Sequence, residues 1–212
     1  MIGMETDVLA ENRRLAAINL HLLRSKKIRS VDVMGSIGSG KTALIVRMAM
    51  VLSSKGKRVA AIAGDVTGDD DYSIFRQAGI SALNLNTGKE CHLDAHLVEH
   101  ALEDLKLDDL DVLFIENVGN LVCPADFPLG TDKRLVVISP TEGDDMVNKH
   151  PMIFLEADQA VLNKKDLLPV LDIDLGRLQR DYSKIRKGAT LQLTSAKTGE
   201  GIEELLLSLD LI

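Results

Sequence analysis

Gly35-Ser36-Ile37-Gly38-Ser39-Gly40-Lys41-Thr42 fits G-x-x-x-x-G-K-[ST], and its reading decides the fold. Before it, Ser30-Val31-Asp32-Val33-Met34 reads as a short buried strand. After it, Ala43 to Leu52 reads as a helix that opens at the loop. Strand, glycine turn and helix form the context the pattern requires. The glycines let successive backbone N–H groups turn inward toward a phosphate, and the helix N-terminus adds its positive dipole end. On this reading Gly35, Ser36, Gly38, Ser39 and Gly40 cradle phosphate, Lys41 reaches the β- and γ-phosphates, and the Thr42 hydroxyl binds Mg²⁺. A plain glycine turn before a helix is the alternative, and the full pattern with both flanks argues against it.

The rest of the chain suits that start. Its 212 residues suffice for one large domain with a proper core. Apolar residues make up 45% and charged residues 27%, ordinary values for a soluble globular protein. Aromatics are only 3%, so the core must come from Leu, Ile, Val, Ala and Met. A net charge of −7 argues against a general binder of nucleic acid or membrane surfaces. No apolar run approaches a membrane span, and no signal-peptide core is visible. These features predict a cytoplasmic protein. The two cysteines read as reduced thiols rather than a disulfide.

Strands and helices alternate along the chain. A helix over about 6–24 carries Val8, Leu15, Ile18 and Leu22 on one stripe and is expected to cover the sheet. Further strands are expected at Arg58–Ala63, Ala82–Leu85, Asp111–Glu116, 134–139, Ala160–Leu162 and Thr190–Leu193. Helices are expected at about Tyr72–Ala78, Leu93–Lys106, 172–186 and Gly201–Leu209. The pattern predicts a three-layer α/β fold of the P-loop NTPase type with a mostly parallel sheet, in one domain over residues 1–212. The acidic turn Asp65 to Asp71 falls on the same carboxyl edge as the glycine loop.

A second motif addresses the base. Asn163-Lys164-Lys165-Asp166 fits N-K-x-D, and Ser195-Ala196-Lys197 fits the companion S-A-K element. A carboxylate at Asp166 can accept both the N1–H and the N2–H₂ of guanine. Adenine lacks those donors and leaves the charged acceptor unpaired, a loss of roughly 1–3 kcal/mol. The Lys164 stem can lie along the base, Asn163 can tie the base loop to the glycine loop, and the Ala196 N–H is expected to face guanine O6. Glu116-Asn117-Val118-Gly119 takes the place of D-x-x-G with Glu for Asp. Glu116 can hold Mg²⁺ through water, and the Gly119 N–H can sense the γ-phosphate. Asn120 follows, not glutamine, so slow intrinsic hydrolysis is expected. Asp65 and Asp71 are candidates for the Mg²⁺ and γ-phosphate side of the first switch, while Asp69 and Asp70 read as solvated.

Cys91, His92 and Cys123 offer two thiolates and an imidazole, a set suited to Zn²⁺ or Ni²⁺. With only two cysteines, one chain cannot build a cysteine-rich closed site; three ligands leave an open position, or two chains share the ion. By residue type alone, buried structural cysteines are the first reading and metal ligands the second. His92, His96 and His100 recur every four residues along one side of the expected helix. Such a stripe can bind metal, but for His96 and His100 packing beside the apolar face is the preferred reading.

The chain resembles the hydrogenase nickel-incorporation GTPases (HypB), a family of dimerising, metal-regulated G proteins. The resemblance rests on Gly35–Thr42, Gly64-Asp65-Val66, Gly88-Lys89-Glu90-Cys91-His92-Leu93-Asp94-Ala95, Glu116 through Pro124, and Asn163–Asp166 with Leu167-Leu168-Pro169. The segments through Cys91 and Cys123 separate this family from other P-loop GTPases. The resemblance implies that Cys91, His92 and Cys123 bind nickel or zinc near an interface formed by a homodimer in the GTP state. It further implies GTP hydrolysis to GDP, with delivery of Ni²⁺ to a [NiFe]-hydrogenase large-subunit precursor alongside a zinc-containing HypA-type accessory protein. Many members carry an N-terminal cysteine motif or a histidine-rich run. Residues 1–30 hold no Cys and one His, so a minimal form is expected. A urease-type sibling, an ATP-using small-molecule kinase or ligase, and a nucleotide-binding module without hydrolysis are the rival readings.

Overall fold

Seven strands form one sheet in the order β3-β2-β4-β1-β5-β6-β7, and every pairing is parallel. The computed structural model describes residues 2–212. The strands are β1 (Arg29–Gly35), β2 (Val59–Asp65), β3 (Ser81–Asn86), β4 (Val112–Glu116), β5 (Lys133–Ile138), β6 (Gln159–Leu162) and β7 (Gln192–Leu193). The helices are α1 (Ile2–Ser25), α2 (Lys41–Ser54), α3 (Asp70–Gln77), α4 (Ala95–Asp104), α5 (Met146–Lys149), α6 (Pro151–Glu156), α7 (Leu175–Ile185) and α8 (Ile202–Ser208).

Side-chain alternation divides the strands between two cores. Val31, Val33, Phe114, Leu135 and Val137 face α2 and α8, packing on Leu44, Ile45, Met48, Leu205 and Leu206. Met34, Val136 and Ile138 face the opposite side, against Ile153, Phe154, Leu178 and Tyr182. Leu113 and Ile115 face that side too, against Leu23, Val98 and Leu102 of α1 and α4. Both faces of the sheet are therefore covered, and all parallel strands end at one edge, where the loops after β1, β2, β4 and β6 meet. No helix among the described residues is long and apolar enough to cross a membrane.

Two expectations change. The buried face of α1 is not the Val8–Leu15–Ile18–Leu22 stripe. Val8 and Ile18 are exposed, and the face turned inward carries Asn12, Ala16, Asn19 and Leu23. The asparagines are buried because they hydrogen-bond. Asn12 Oδ1 accepts from the Ala95 N–H at 2.8 Å, and Asn19 Nδ2 donates to the carbonyls of Ala95 at 2.8 Å and Leu129 at 3.1 Å. An apolar periodicity rule cannot see such a face. The helix α4 also begins later than expected, at Ala95, capped by Asp94 Oδ1 accepting from the Leu97 N–H. His92 therefore lies before the helix, and the three histidines do not form one helical line.

A candidate nucleotide pocket and metal trio

The glycine loop is held by its neighbours. Gly40 caps α2 with φ +91°, and a Cβ there would stand 2.6 Å from Asn163 Nδ2. Only glycine meets both conditions without strain. Asn163, fully buried after β6, donates to the carbonyls of Ser39 at 3.2 Å and Gly40 at 3.3 Å. Its Oδ1 accepts from the Ala196 N–H at 3.1 Å and the Thr194 hydroxyl at 3.3 Å. One side chain thus ties the glycine loop, the N-K-x-D turn and the S-A-K turn together. The Ala196 N–H, expected to face guanine O6, here donates to Asn163 Oδ1.

Lys164 takes a left-handed conformation, φ +59°, and its Nζ donates to the Gly38 carbonyl at 2.5 Å. Its stem bridges the mouth between the base turn and the glycine loop. Ser195 Oγ donates to Asp166 Oδ1 at 2.6 Å, and this bond holds the Asp166 carboxyl below the usual carboxylate range. An ionised acceptor oriented by a buried serine is the group the guanine reading requires. Arg47 of α2, absent from the sequence reading, clamps this turn: its guanidinium donates to the carbonyls of Ala196 at 2.9 Å and Lys197 at 3.0 Å. Lys197 itself is exposed.

The phosphate end is built around Thr42. Its hydroxyl lies 2.7 Å from Asp71 Oδ1 and 3.0 Å from Glu116 Oε1. Of the two candidates Asp71 is the carboxylate that reaches this hydroxyl. Asp65 accepts from the next N–H, that of Val66, at 2.6 Å. Lys41 Nζ lies 3.3 Å from the Ser36 carbonyl and 3.8 Å from Glu116 Oε1. Burial pushes the Glu116 carboxyl up to about 8; the Lys41 ammonium pulls it back, and Asp71 adds to the rise. Glu116 Oε2 and Ser39 Oγ are buried with no hydrogen-bond partner. Orphaned acceptors beside Thr42 fit a divalent cation such as Mg²⁺. Gly119 approaches the glycine loop so closely that a Cβ on it would overlap Ile37, and Gly35 and Asn120 form an isolated antiparallel bridge.

Glu142 was not foreseen. It lies in a short 3₁₀ turn (Pro140–Glu142) after β5 and closes a capping box in which its Oε1 accepts from the Ser139 N–H at 2.9 Å. Burial raises its carboxyl, and the Ser36 hydroxyl of the glycine loop opposes that rise. The capping-box spacing Ser139–Glu142 was the available signal.

Cys91, His92 and Cys123 come together. Their ligand atoms all lie within 4.8 Å of one another. The thiols are 2.8 Å apart, and Cys91 Sγ is 3.9 Å from His92 Nδ1. Cys91 is exposed and Cys123 only partly buried, so the reading as buried structural cysteines fails. The neighbouring Cys91 thiol, and then burial, raise the Cys123 thiol. Burial lowers His92, whose ring lies 4.0 Å from that of Phe127, and Glu90 and Asp94 oppose that shift. An imidazole and paired soft sulfurs with an open side suit a borderline divalent ion.

One buried carboxylate anchors both halves of this trio. Asp32, in the middle of β1, accepts from Asn117 Nδ2 at 3.1 Å, and Asn117 Oδ1 accepts from the Leu93 N–H at 3.1 Å, next to His92. Asp32 also pairs with Arg134 at 3.5 Å. Arg134 in turn donates to the carbonyls of Pro124 and Ala125, next to Cys123. An aspartate inside an otherwise apolar strand was the sequence signal for this group. Burial raises its carboxyl, and Arg134 and Asn117 oppose the rise.

Comparison with known proteins gives a consistent result. Residues 30–192 match the family model described as CobW/HypB/UreG, nucleotide-binding domain. The chain is 50% identical over 206 residues to the probable hydrogenase maturation factor HypB of Methanocaldococcus jannaschii, covering 97% of this chain and 93% of that protein. The crystal structure of HypB from Archaeoglobus fulgidus superposes with a TM-score of 0.86 at 45% identity, covering 95% and 98% of the two chains. HypB from Helicobacter pylori in complex with nickel superposes with a TM-score of 0.86 at 33% identity, covering 92% and 91%.

Proposed function

Because the chain belongs to the CobW/HypB/UreG family, on its branch of HypB hydrogenase maturation factors, we propose that it is a cytoplasmic GTP-hydrolysing switch that carries nickel for [NiFe]-hydrogenase assembly. Glycine-loop residues Gly35 to Gly40 and Lys41 hold the phosphates. Asp166, fixed by Ser195, selects guanine, with Asn163 and Lys164 shaping the base turn. Thr42, Asp71 and Glu116 hold Mg²⁺, with Asp65 behind them; the ion supplies charge neutralisation at the transferring phosphoryl group. The Gly119 N–H reports the γ-phosphate. No glutamine supports the attacking water, so turnover is slow. Cys91, His92 and Cys123 hold Ni²⁺, and Zn²⁺ competes for the same donors.

The observation that carries this reading is that Cys123 sits four residues after Gly119 in the loop that leaves β4 at Glu116. A loop that shifts on sensing a γ-phosphate moves one of three metal ligands. Ile37 and Val122 are 85% and 60% exposed on the phosphate and metal loops, and they support a homodimer closing over both sites in the GTP state. The hydrogenase precursor and a HypA-type accessory protein are the partners on this reading. A guanine O6 would compete with Asn163 Oδ1 for the Ala196 N–H.

Light scattering with nickel content read on the same peak tests the switch. A dimer formed with a non-hydrolysable GTP analogue and Mg²⁺, absent with GDP and altered in nickel content, is the expected result. A monomer of unchanged mass without metal in both states overturns the coupling. Equal GTP binding by Asp166→Asn would overturn the guanine assignment.

A further inference from the structure

Two thiols meet across two loops. Cys91 lies between β3 and α4, Cys123 lies after β4, and their sulfurs are 2.8 Å apart. Protein groups bring them together. Asn120 Nδ2 donates to the Cys91 carbonyl at 3.2 Å, and Asn120 Oδ1 accepts from the Val122 N–H at 2.8 Å. One side chain therefore pins the Cys91 backbone to the segment that leads into Cys123. On the far side of each cysteine, Asp32 holds Leu93 through Asn117, and holds Pro124 and Ala125 through Arg134.

The same arrangement suits a bond between the sulfurs. A disulfide has an S–S distance of about 2.05 Å, so the two atoms need to close by only about 0.8 Å. Cys91 is exposed and Cys123 partly exposed, so a small oxidant reaches the pair from solvent. Once one sulfur is oxidised, the other attacks it in an intramolecular step, which outruns a second oxidant molecule. Oxidation then stops at the reversible disulfide and does not run on to sulfinic acid. In compartments that keep thiols reduced, the disulfides that do form are mostly transient and redox-sensing.

We propose that Cys91 and Cys123 are a reversible redox pair, closed by a peroxide into a disulfide within the chain. One sulfur, as thiolate, attacks a peroxide oxygen. The O–O bond breaks, a sulfenic acid forms, and the leaving hydroxide takes up the proton that the thiol gave up. The second sulfur then attacks the sulfenic sulfur. The S–S bond forms, the S–O bond breaks, and the second thiol's proton leaves with that hydroxide as water. Two electrons pass from the two sulfurs to the peroxide. The cross-link takes both sulfurs away from a metal ion and leaves His92 as the one donor of the trio. It also fastens the loop after Gly119 to the loop before α4. On the proposed function, on which this consequence rests, an oxidised chain neither loads nickel nor moves Cys123 with the nucleotide. The disulfide itself stands on the sulfur geometry, whether or not the chain carries nickel.

The test treats the reduced, nucleotide-free full chain with hydrogen peroxide and follows it by thiol titration and intact mass. Both thiols should disappear together, since the chain has two cysteines. The mass should fall by two hydrogen atoms, the product should remain a single chain, and dithiothreitol should restore both thiols. Cys91→Ser and Cys123→Ser should each stop at a sulfenic acid that dimedone traps. Three results overturn the proposal: wild-type sulfurs that gain oxygen in place of the cross-link, a cross-link that forms only between chains, or thiols that persist where free cysteine is consumed. Ni²⁺ uptake before and after oxidation separates the two readings. Uptake should be lost on oxidation and return on reduction, and uptake that survives a complete cross-link would overturn the exclusion of metal. A reduced chain that takes up no Ni²⁺ but still forms the disulfide would sink the nickel assignment and uphold the redox pair.

Discussion

The nucleotide pocket and the metal trio occupy the same sheet edge and are built in opposite ways. The pocket is made of backbone and buried polar groups locked from several sides. Gly40 has no room for a side chain, and Asn163 makes four hydrogen bonds across three loops. The trio is made of side-chain tips on two loops, open to solvent, and its order comes from Asp32 one layer below. Phosphate recognition benefits from donors fixed in advance, because reorganisation on binding costs affinity. A site that must release its ion needs ligands that separate. On the proposed reading, rigidity is concentrated where the ligand is constant and withheld where it is exchanged.

Four measurements break or sharpen that contrast. The largest effect is expected from Gly40→Ala, which combines left-handed backbone strain with displacement of Asn163. Nucleotide affinity should fall by about 3 kcal/mol, while Ni²⁺ uptake by the trio stays near wild type. Equal loss at both sites would erase the distinction. Asp32→Asn is next. It leaves Arg134 without its buried counter-charge and should destabilise the chain by about 2–3 kcal/mol in urea unfolding. Nickel affinity should drop about tenfold, with GDP binding little changed. A normal metal site in this variant would mean that the two loops hold themselves.

Glu116 gives a pH signature. Its carboxyl is raised from 4.5 to about 8 by burial, so the folded chain holds a proton that the unfolded chain releases. Its contribution to stability is full below about pH 4.5 and is lost as pH rises towards 8. Asp32 acts in the same direction, so the comparison needed is with Glu116→Gln. The melting-temperature advantage of Glu116→Gln over wild type should grow between about pH 5 and pH 8 in the absence of Mg²⁺. A constant difference would show that Glu116 is already ionised. The smallest effect is that of Arg47→Ala, which frees the S-A-K turn and should weaken guanine-nucleotide binding by about 1 kcal/mol. No change would place the rigidity of that turn in Asn163 alone.

Much of this was legible in the sequence because it is local. The glycine loop, the strands and the N-K-x-D turn follow from spacing and apolar runs, and all seven strands lie within a few residues of where the chain predicts them. The clustering of Cys91, His92 and Cys123 came from family resemblance, since residue types alone favoured inert thiols. What stayed hidden is long-range and polar. Asn12 and Asn19 look like solvent-facing helix residues until Ala95 and Leu129 are placed against them. Arg47 and Arg134 look like surface charges until the carbonyls they clamp are known. The short helices α5 and α6 carry no strong periodicity and were not foreseen. Asp71 outranks Asp65 at Thr42 because α3 begins at Asp70 and turns the next carboxylate towards Thr42.

The asparagine face of α1 bears on the order in which the chain assembles. Its hydrogen bonds reach Ala95, Pro128 and Leu129, across sequence separations of 76 to 116 residues. At Gly130, a Cβ would overlap the Ala16 carbonyl. The surface that receives α1 does not exist until β4, β5 and the segment between them are in place. Helix α1 thus cannot dock until more than a hundred later residues are in place, because its closure entropy is recovered only then. Native-state amide exchange should find it among the first elements to detach.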